Sequence, residues 1–448
     1  MRRRQTGVCA LWVAAALLAA GPGVATEDDS VVTEVLEILK QRGIVDEQEY
    51  QRLSLKNHSY EQQQDEGFLS RIEWSGDLRL RLENFWFDRD PVEDRPNRNR
   101  GRYRLRIAGK VPINEVLKAG FRVTSGSPDD PRSTNQTFGS SDDFNNDPFN
   151  IDQAYLTFTA PRDWLGEEST FSATGGKMSN PLRWKNGKDY MLWDGDITPE
   201  GAAAKYQYRP SEPWTLYANT GYFIARENSG DPHVLALQGG TSYEASEDVE
   251  LGGRLSWYDW SSLTEDFFRV AAGDGNTGFT DATGAFRSGL TDGSAKIGEL
   301  AAYVRWNGLE DWPLLVYGHY AKNFEAESLF VPVTHPDPTI AGSSAGEEDA
   351  GWGIGAEIGD KKKYVKVGLG YYQLEANFTP AMFIDSDLTD GKTNRKAWTL
   401  YFSRQILRNT DVNVTLFKSD RLESGPLFAE SVGGSDRYRL QTDINVKF

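Results

Sequence analysis

Arginines at alternate positions are the clearest chemical pattern in this sequence. Because successive side chains of a strand point to opposite faces, each such stretch predicts a strand with one charged and one apolar face. A row of guanidinium groups that faces water attracts anionic solutes. A solvated face of a soluble sheet is the alternative interpretation. The candidate basic residues are Arg79, Arg81, Arg102, Arg104, Arg106, Arg122, Arg437 and Arg439.

A second candidate site is the segment 179–197, which carries more large apolar residues than a solvent-exposed loop needs. We expect it to fold inward and pack on the wall of the protein. Asp194, Asp196 and Glu200 would then face the arginines, and opposed charges across a narrow passage sort solutes by charge and dipole. A surface loop with aromatic anchors at a membrane interface is the alternative. The candidate constriction residues are Trp184, Lys185, Trp193, Asp194, Asp196 and Glu200.

The elements that position these residues are strands. Short turns and long polar loops alternate between the strands, which is typical of an all-β, transmembrane antiparallel β-barrel. We expect sixteen strands, although fourteen or eighteen remain open. Charges that face lipid at the midplane cost about 2–4 kcal/mol each, so the arginines must face the lumen. The predicted strands are 72–86, 99–111, 115–126, 150–160, 168–178, 198–209, 213–226, 233–246, 248–261, 297–308, 312–324, 349–359, 363–375, 395–407, 410–421 and 436–448.

The last predicted strand has two implications. In a closed barrel it neighbours the first strand, which would bring Arg437 and Arg439 to the wall formed by the first three strands. Its final residue, Phe448, resembles the terminal aromatic of bacterial outer-membrane barrels, where it serves as an assembly signal. That resemblance implies the outer membrane as the location and the barrel assembly machinery as a partner.

The N-terminus predicts export. Three arginines precede a short apolar run and small residues at 23 and 25, so residues 1–25 read as a secretory signal peptide, cleaved after Ala25. Residues 26–70 predict a short periplasmic helical segment and linker, in which Gly43 ends one helix and Asp46 with Glu49 caps another. Residues 71–448 form the predicted barrel.

Composition limits the other function classes. Without the three signal arginines the chain has 46 basic and 66 acidic residues, a net charge of −20, which argues against nucleic-acid binding. The one cysteine, Cys9, lies within the signal peptide, so no disulfide is expected. The four histidines show no zinc spacing, and the G-x-S-x-G match at 342–346 lacks the strand and helix of a nucleophile elbow. We therefore expect no metal, no cofactor and no enzymatic activity.

Several stretches resemble the proteobacterial putative-porin family. They are 102–107, 119–126 with 133–137, and 176–181 followed by 193–201. The resemblance implies an outer-membrane barrel that lets small hydrophilic solutes and ions diffuse passively, in contact with membrane lipid and lipopolysaccharide. A homotrimer is expected only by analogy with other sixteen-stranded porins. A porin selective for anionic solutes, such as carboxylates, sugar acids or phosphate, is the alternative. An outer-membrane enzyme and a secreted β-rich protein are more remote.

Overall fold

The computed structural model describes residues 29–55, 70–87, 97–140, 143–184, 186–228, 230–290, 293–428 and 436–448. The predicted signal peptide, residues 1–25, and the candidate residue Lys185 lie outside the described residues. Two compact units divide the chain: residues 1–74 with 109–112, and residues 75–108 with 113–448.

The first unit contains the short helices predicted near the N-terminus. Helix α1 spans Asp29–Gln41, and residues 47–55 are also helical. Gly43 ends α1 with a φ of +67°, a conformation that glycine adopts without strain. The amide of Glu49 donates to Oδ1 of Asp46 at 2.8 Å, so the predicted cap is confirmed. Among the described helices, none combines the length and the apolar character needed to cross a membrane.

The second unit is built on a closed antiparallel barrel. Each strand pairs with the strands before and after it in the chain, and β16 pairs with β1. The predicted count of sixteen is confirmed. The strands are β1 (Glu73–Phe87), β2 (Arg98–Pro112), β3 (Leu117–Ser125), β4 (Phe149–Thr159), β5 (Ser169–Lys177), β6 (Glu200–Ser211), β7 (Trp214–Ile224), β8 (His233–Ser246), β9 (Val249–Ser261), β10 (Ser294–Trp306), β11 (Leu314–Asn323), β12 (Ala350–Ile358), β13 (Lys366–Leu374), β14 (Arg395–Leu407), β15 (Thr410–Arg421) and β16 (Arg437–Lys447).

The pairing of β1 with β16 closes the barrel. The backbone amide of Gly76 donates to the carbonyl of Phe448 at 2.7 Å, and the amide of Phe448 donates back to Gly76 at 3.1 Å. A Cβ atom at position 76 would lie 2.4 Å from Cε2 of Phe448, so the aromatic ring packs directly over the glycine backbone. Phe448 therefore takes part in the seam that joins the two ends of the barrel sheet.

The two faces of the strands differ as the alternation predicts. On β1, the outward Leu80 and Leu82 are 47% and 52% exposed, whereas the inward Arg81 and Glu83 are 6% and 0% exposed. Exposed apolar side chains on successive strands are typical of a lipid-facing surface. The sequence therefore predicts each strand well, because the alternation of lipid-facing and lumen-facing residues continues along its whole length.

Long connections fill part of the barrel interior. Trp193 of the 178–199 loop, Phe383 of the 375–394 loop and Trp260 of β9 form one aromatic group, with the rings of Trp260 and Phe383 stacked 4.8 Å apart. Phe267 of the 262–293 loop joins it at 6.1 Å from Phe383. The shorter elements of the connections are Gln136–Thr137, Arg162–Leu165, Glu265–Gly273, Gly278–Thr280, Phe286–Ser288, Leu329–Phe330, Ser344–Ala345 and Ala381–Phe383.

Candidate functional site

The arginine wall consists of the inward arginines of β1, β2, β3 and β16. The strand register aligns Arg81 with Asp443 and Arg79 with Asn445, so side chains from the two ends of the barrel sheet share one surface. Arg437 and Arg439 are 4% and 2% exposed. The arginines that the sequence predicts for this wall are Arg79, Arg81, Arg102, Arg104, Arg106, Arg122, Arg437 and Arg439.

Carboxylates neutralise much of this wall. Nε and Nη2 of Arg81 donate to the two carboxylate oxygens of Asp443 at 2.7 and 2.8 Å. Glu83, which is fully buried, accepts from Arg100 and Arg439. Such charge-assisted pairs are strong, and a buried carboxylate or guanidinium without its partner is strongly destabilising. The wall is therefore an ordered ionic network.

Two arginines of β2 share a carboxylate on β1. Asp77 accepts from Arg104 at 2.6 Å and from Arg106 at 2.7 Å. Asp196, from the 178–199 loop, lies 3.6 Å from each of the same two arginines. Burial alone would raise the pKa of Asp196, but the nearby guanidinium groups of Arg104, Arg79 and Arg106 lower it to about 2. This carboxylate is thus held in its charged form against the wall.

The remaining predicted arginines meet polar loop groups or a strand carboxylate. Arg79 donates to Oδ1 of Asn135 at 2.5 and 3.1 Å, and Arg102 donates to the carbonyl oxygen of the same residue at 3.0 Å. Arg122 pairs with Asp152 on the adjoining strand. The loop at 127–148 therefore also contacts the wall.

The other candidate loop residues take different positions. The carboxylate of Asp194 accepts from the amides of Asp196 and Ser386 at 2.8 and 2.7 Å, and so it joins two loops. Burial, together with the nearby Asp385 and Asp196, raises its pKa well above the usual range. The carboxylate of Glu200, at the start of β6, pairs with Lys177 at 2.7 Å and is largely exposed. Among the described residues, neither Asp194 nor Glu200 forms an ion pair with an arginine of the wall, unlike Asp196.

The two candidate tryptophans are buried among strand residues. Trp184 lies edge-on to Tyr303 of β10, with ring centroids 5.6 Å apart, and Trp193 packs on Trp260 of β9. In the same loop, the carbonyl oxygen of Leu182 accepts from Nη1 of Arg254 at 2.7 Å. Arg254 is a lone arginine on its strand, so the search for alternate arginines did not identify it.

A second interior loop, 375–394, also brings a carboxylate to the arginine wall. Asp387 accepts from Arg81 at 3.0 Å and from Arg439 at 2.9 Å. Burial alone would raise the pKa of Asp387, but these two guanidinium groups hold it well below its usual range. For the neighbouring Asp385, burial and the charge of Asp387 raise the pKa to about 7, and the opposing effect of Arg183 is smaller. The loop shows the same signal as 179–197, namely large apolar residues beside acids, including Phe378, Met382, Phe383 and Ile384.

Two cavities lie on either side of the 178–199 loop, and Arg183 lines both. One, of about 490 Å³, is bounded by residues of β4 to β9. The other, of about 760 Å³, is bounded mainly by β1 and β11 to β16 and by residues 183–190. Its charged lining comprises seven basic residues and four acidic ones: Arg79, Arg81, Arg183, Lys188, Arg305, Lys361, Lys366, Asp189, Glu357, Asp387 and Asp443.

Comparisons with known proteins agree with this architecture. Residues 89–285 match the family described as "Putative porin". The structure of OprB from Pseudomonas putida at high pH has a TM-score of 0.52 at 10% sequence identity, covering 85% of this chain and 95% of that one. The outer-membrane channel DcaP of Acinetobacter baumannii has a TM-score of 0.45 at 12% identity, covering 84% and 97%. No curated protein matches.

The likeness to OprB shows the barrel fold, and the family match independently covers the region from before β2 to the residue that precedes Phe286. The predicted resemblance to the putative-porin family is therefore confirmed over residues 89–285, and the chain has the fold of a porin barrel.

Proposed function

We propose that this protein is an outer-membrane channel through which small hydrophilic solutes and ions diffuse passively. The observation that carries the proposal is the combination of a lipid-suited outer face with interior cavities lined by charged side chains. Such a lining replaces part of the hydration of a polar solute, whereas an enzyme would need a defined set of reacting groups. A channel is therefore favoured over an outer-membrane enzyme.

The interior loops would set the size limit. Ion pairs attach Asp196 and Asp387 to the arginine wall, and Arg254 holds the backbone of the 178–199 loop on the opposite side. The solute path would run through the two cavities on either side of that loop. Opposed charges along this path create a transverse field, which favours solutes that can align their dipoles.

Liposome swelling tests this function directly. Vesicles that contain the purified, folded protein should swell in solutions of small sugars, and the rate should fall as the sugar becomes larger. Equal swelling rates with and without protein would contradict a diffusion channel. Lipase and protease assays on the same preparation test the enzyme alternative.

Selectivity for anionic solutes is the second candidate. Its support is the charged lining of the larger cavity, where seven basic residues outnumber four acidic ones. The net charge of −20 expected for the exported chain opposes it. Reversal potentials in a KCl gradient decide between a general and an anion-selective channel, because a preference for cations would exclude anion selectivity.

The proposed location has its own tests. Export through a cleaved signal peptide, insertion by the barrel assembly machinery and contact with lipopolysaccharide all follow from an outer-membrane channel. We expect a folded form that migrates faster than the heated form on a gel, and a homotrimer in detergent by light scattering. A monomer would refute the trimer without affecting the channel proposal.

A further inference from the structure

Three potential metal ligands meet inside the barrel, apart from the arginine wall. Asp189 belongs to the 178–199 loop, Glu299 to β10 and His319 to β11. One ligand atom of each lies within 4.8 Å of the others. Their side chains are 3%, 2% and 1% exposed. These three residues are called the 189/299/319 cluster below.

His319 gives this cluster a feature that acidic groups alone lack. Within the part of the chain that the structure describes, neither of its ring nitrogens has a hydrogen-bond partner. Its Nδ1 lies 3.8 Å from Oε1 of Glu299, which is too far for a hydrogen bond. Buried polar groups normally have partners, and neutral imidazole is the commonest metal ligand. The imidazole therefore lies beside the Glu299 carboxylate with a ring nitrogen that is available to bind a metal ion.

Aromatic packing fixes the orientation of that imidazole. Trp184 and Tyr317 lie edge-on to it, with ring centroids 5.6 and 5.9 Å away. Trp184 also donates its backbone amide to Asp189 at 2.7 Å, so one residue positions both the imidazole and a carboxylate of the cluster. An imidazole held in this way loses little conformational freedom when an ion binds.

The charge of the cluster favours a cation. Arg254 is shared by the two carboxylates, at 2.7 Å from Glu299 and 3.6 Å from Asp189. The cluster thus sets two buried carboxylates against one guanidinium, and an excess of acidic over basic groups favours a bound cation.

We propose that the 189/299/319 cluster binds a divalent transition-metal ion, with Zn²⁺ as the representative. Imidazole nitrogen combined with carboxylate oxygen suits Zn²⁺ and its neighbours, whereas Ca²⁺ and Mg²⁺ take oxygen ligands. Tetrahedral ligands at zinc distances lie about 3.4 Å apart, so the 3.8 Å separation of Glu299 and His319 needs only a small contraction. Asp189 is on a loop and can move the remaining distance. The fourth position would take water.

The bound ion would tie the 178–199 loop to the barrel wall, since Asp189 is the ligand on the loop. Asp189 also lines the larger cavity, which provides the access path. The ligands come from three separate elements, and for that reason no spacing of histidines or acids in the sequence indicates the site. The proposal does not depend on whether the barrel conducts.

Metal binding to the full-length, folded protein in detergent tests this proposal. After treatment with a chelator, isothermal titration with ZnCl₂ should give one equivalent of bound ion. His319→Gln and Asp189→Asn should each weaken binding by about tenfold or more, because even the partners of metal ligands contribute 10–100-fold. Co²⁺ should quench the fluorescence of the adjacent Trp184, and the quenching should be much smaller in Trp184→Phe. His233→Gln, at the start of β8, is the matched control.

Folding of each variant is checked by its heat-dependent gel migration. If His319→Gln does not fold, Asp189→Asn decides the result, because that residue lies on a loop. Absence of one-equivalent Zn²⁺ binding to the wild-type protein would overturn the proposal. Binding that is as tight in the folded Asp189→Asn variant as in the wild type would also overturn it.

Discussion

Nη1 of Arg81 on β1 lies 3.0 Å from both carboxylate oxygens of Asp387, which stands 306 positions later on the 375–394 loop. The same carboxylate accepts from Arg439 at 2.9 Å and from Gln441 at 2.8 Å on β16. The position of the loop inside the barrel is thus set by charges on the two strands that close it. Changes to these charges should alter the passage without altering the barrel.

Asp387→Asn should loosen the 375–394 loop. The neutral amide leaves Arg81 and Arg439 without one of their carboxylates. Because the side chain of Asp387 is 29% exposed, the cost lies below the ~3–5 kcal/mol of a fully buried ion pair. Single-channel recordings should show a larger mean conductance and more open-channel noise than the wild type. Asp337→Asn, at an exposed position in another loop, is the control. Identical conductance and noise in both variants would contradict a restraining role for Asp387.

Asp385 should make the contact between the two interior loops dependent on pH. Its pKa is raised from 3.8 to about 7, so the folded state binds the proton more tightly than the unfolded chain. Protonation of Asp385 therefore stabilises the folded protein fully below about pH 4, and this stabilisation is lost as the pH rises through 7. Open-channel noise should therefore be lower at pH 5 than at pH 8.

The variant Asp385→Asn mimics the protonated acid and should show the quieter behaviour at both pH values. The lowered pKa of Asp387 acts in the opposite direction, but its contribution is lost only in strong acid, outside this window. If noise in the wild type is independent of pH between 5 and 8, Asp385 does not titrate as described.

Gly76→Ala should weaken the barrel seam. The added Cβ would lie 2.4 Å from the ring of Phe448 and 2.7 Å from the carbonyl oxygen of Arg106, and such overpacking costs about 1–3 kcal/mol. The temperature at which the folded band disappears from a gel should fall. Gly175→Ala on β5 is the control, because a Cβ there meets no atom within 4 Å. Equal melting of the two variants would argue against close packing at the seam.

Lys188→Gln should shift ion selectivity towards cations. Lys188 lines the larger cavity with its Nζ 4.3 Å from the ring centre of Tyr401, and it forms no ion pair with any described residue. Its charge is therefore less compensated than that of Lys366, which pairs with Glu357 at 3.0 Å. The reversal potential in a KCl gradient should move accordingly. Lys363→Gln, in an exposed turn, should leave it unchanged, and the same result for Lys188→Gln would contradict the role of the cavity.

The sequence predicts the strands closely but the interior only in part. Every predicted strand bound lies within three residues of the observed one, and the largest differences are at Ser294 and Lys366. The agreement is close because the alternation of side chains and the turn residues are local features of the sequence. The sequence also predicts that Arg81 and Arg439 lie on the same wall, because closure of the barrel makes β1 and β16 adjacent. Local patterns do not specify which loop acid reaches which arginine.

The interior contacts depend on tertiary structure. Asp387 and Arg254 contact residues far away in sequence, so no local spacing identifies their partners. Asp194 and Asp196 are two positions apart, yet one joins loops and the other meets the wall. The apolar content of the 375–394 loop was the available signal, because a loop rich in large apolar residues must bury them.

The central claim is that the barrel is a water-filled channel, and single-channel recording of the purified wild-type protein in planar bilayers tests it most directly. We predict stepwise, reproducible increases in conductance as barrels insert, each stable over time at constant voltage. A folded preparation that inserts into the bilayer and gives no conductance steps would contradict the account.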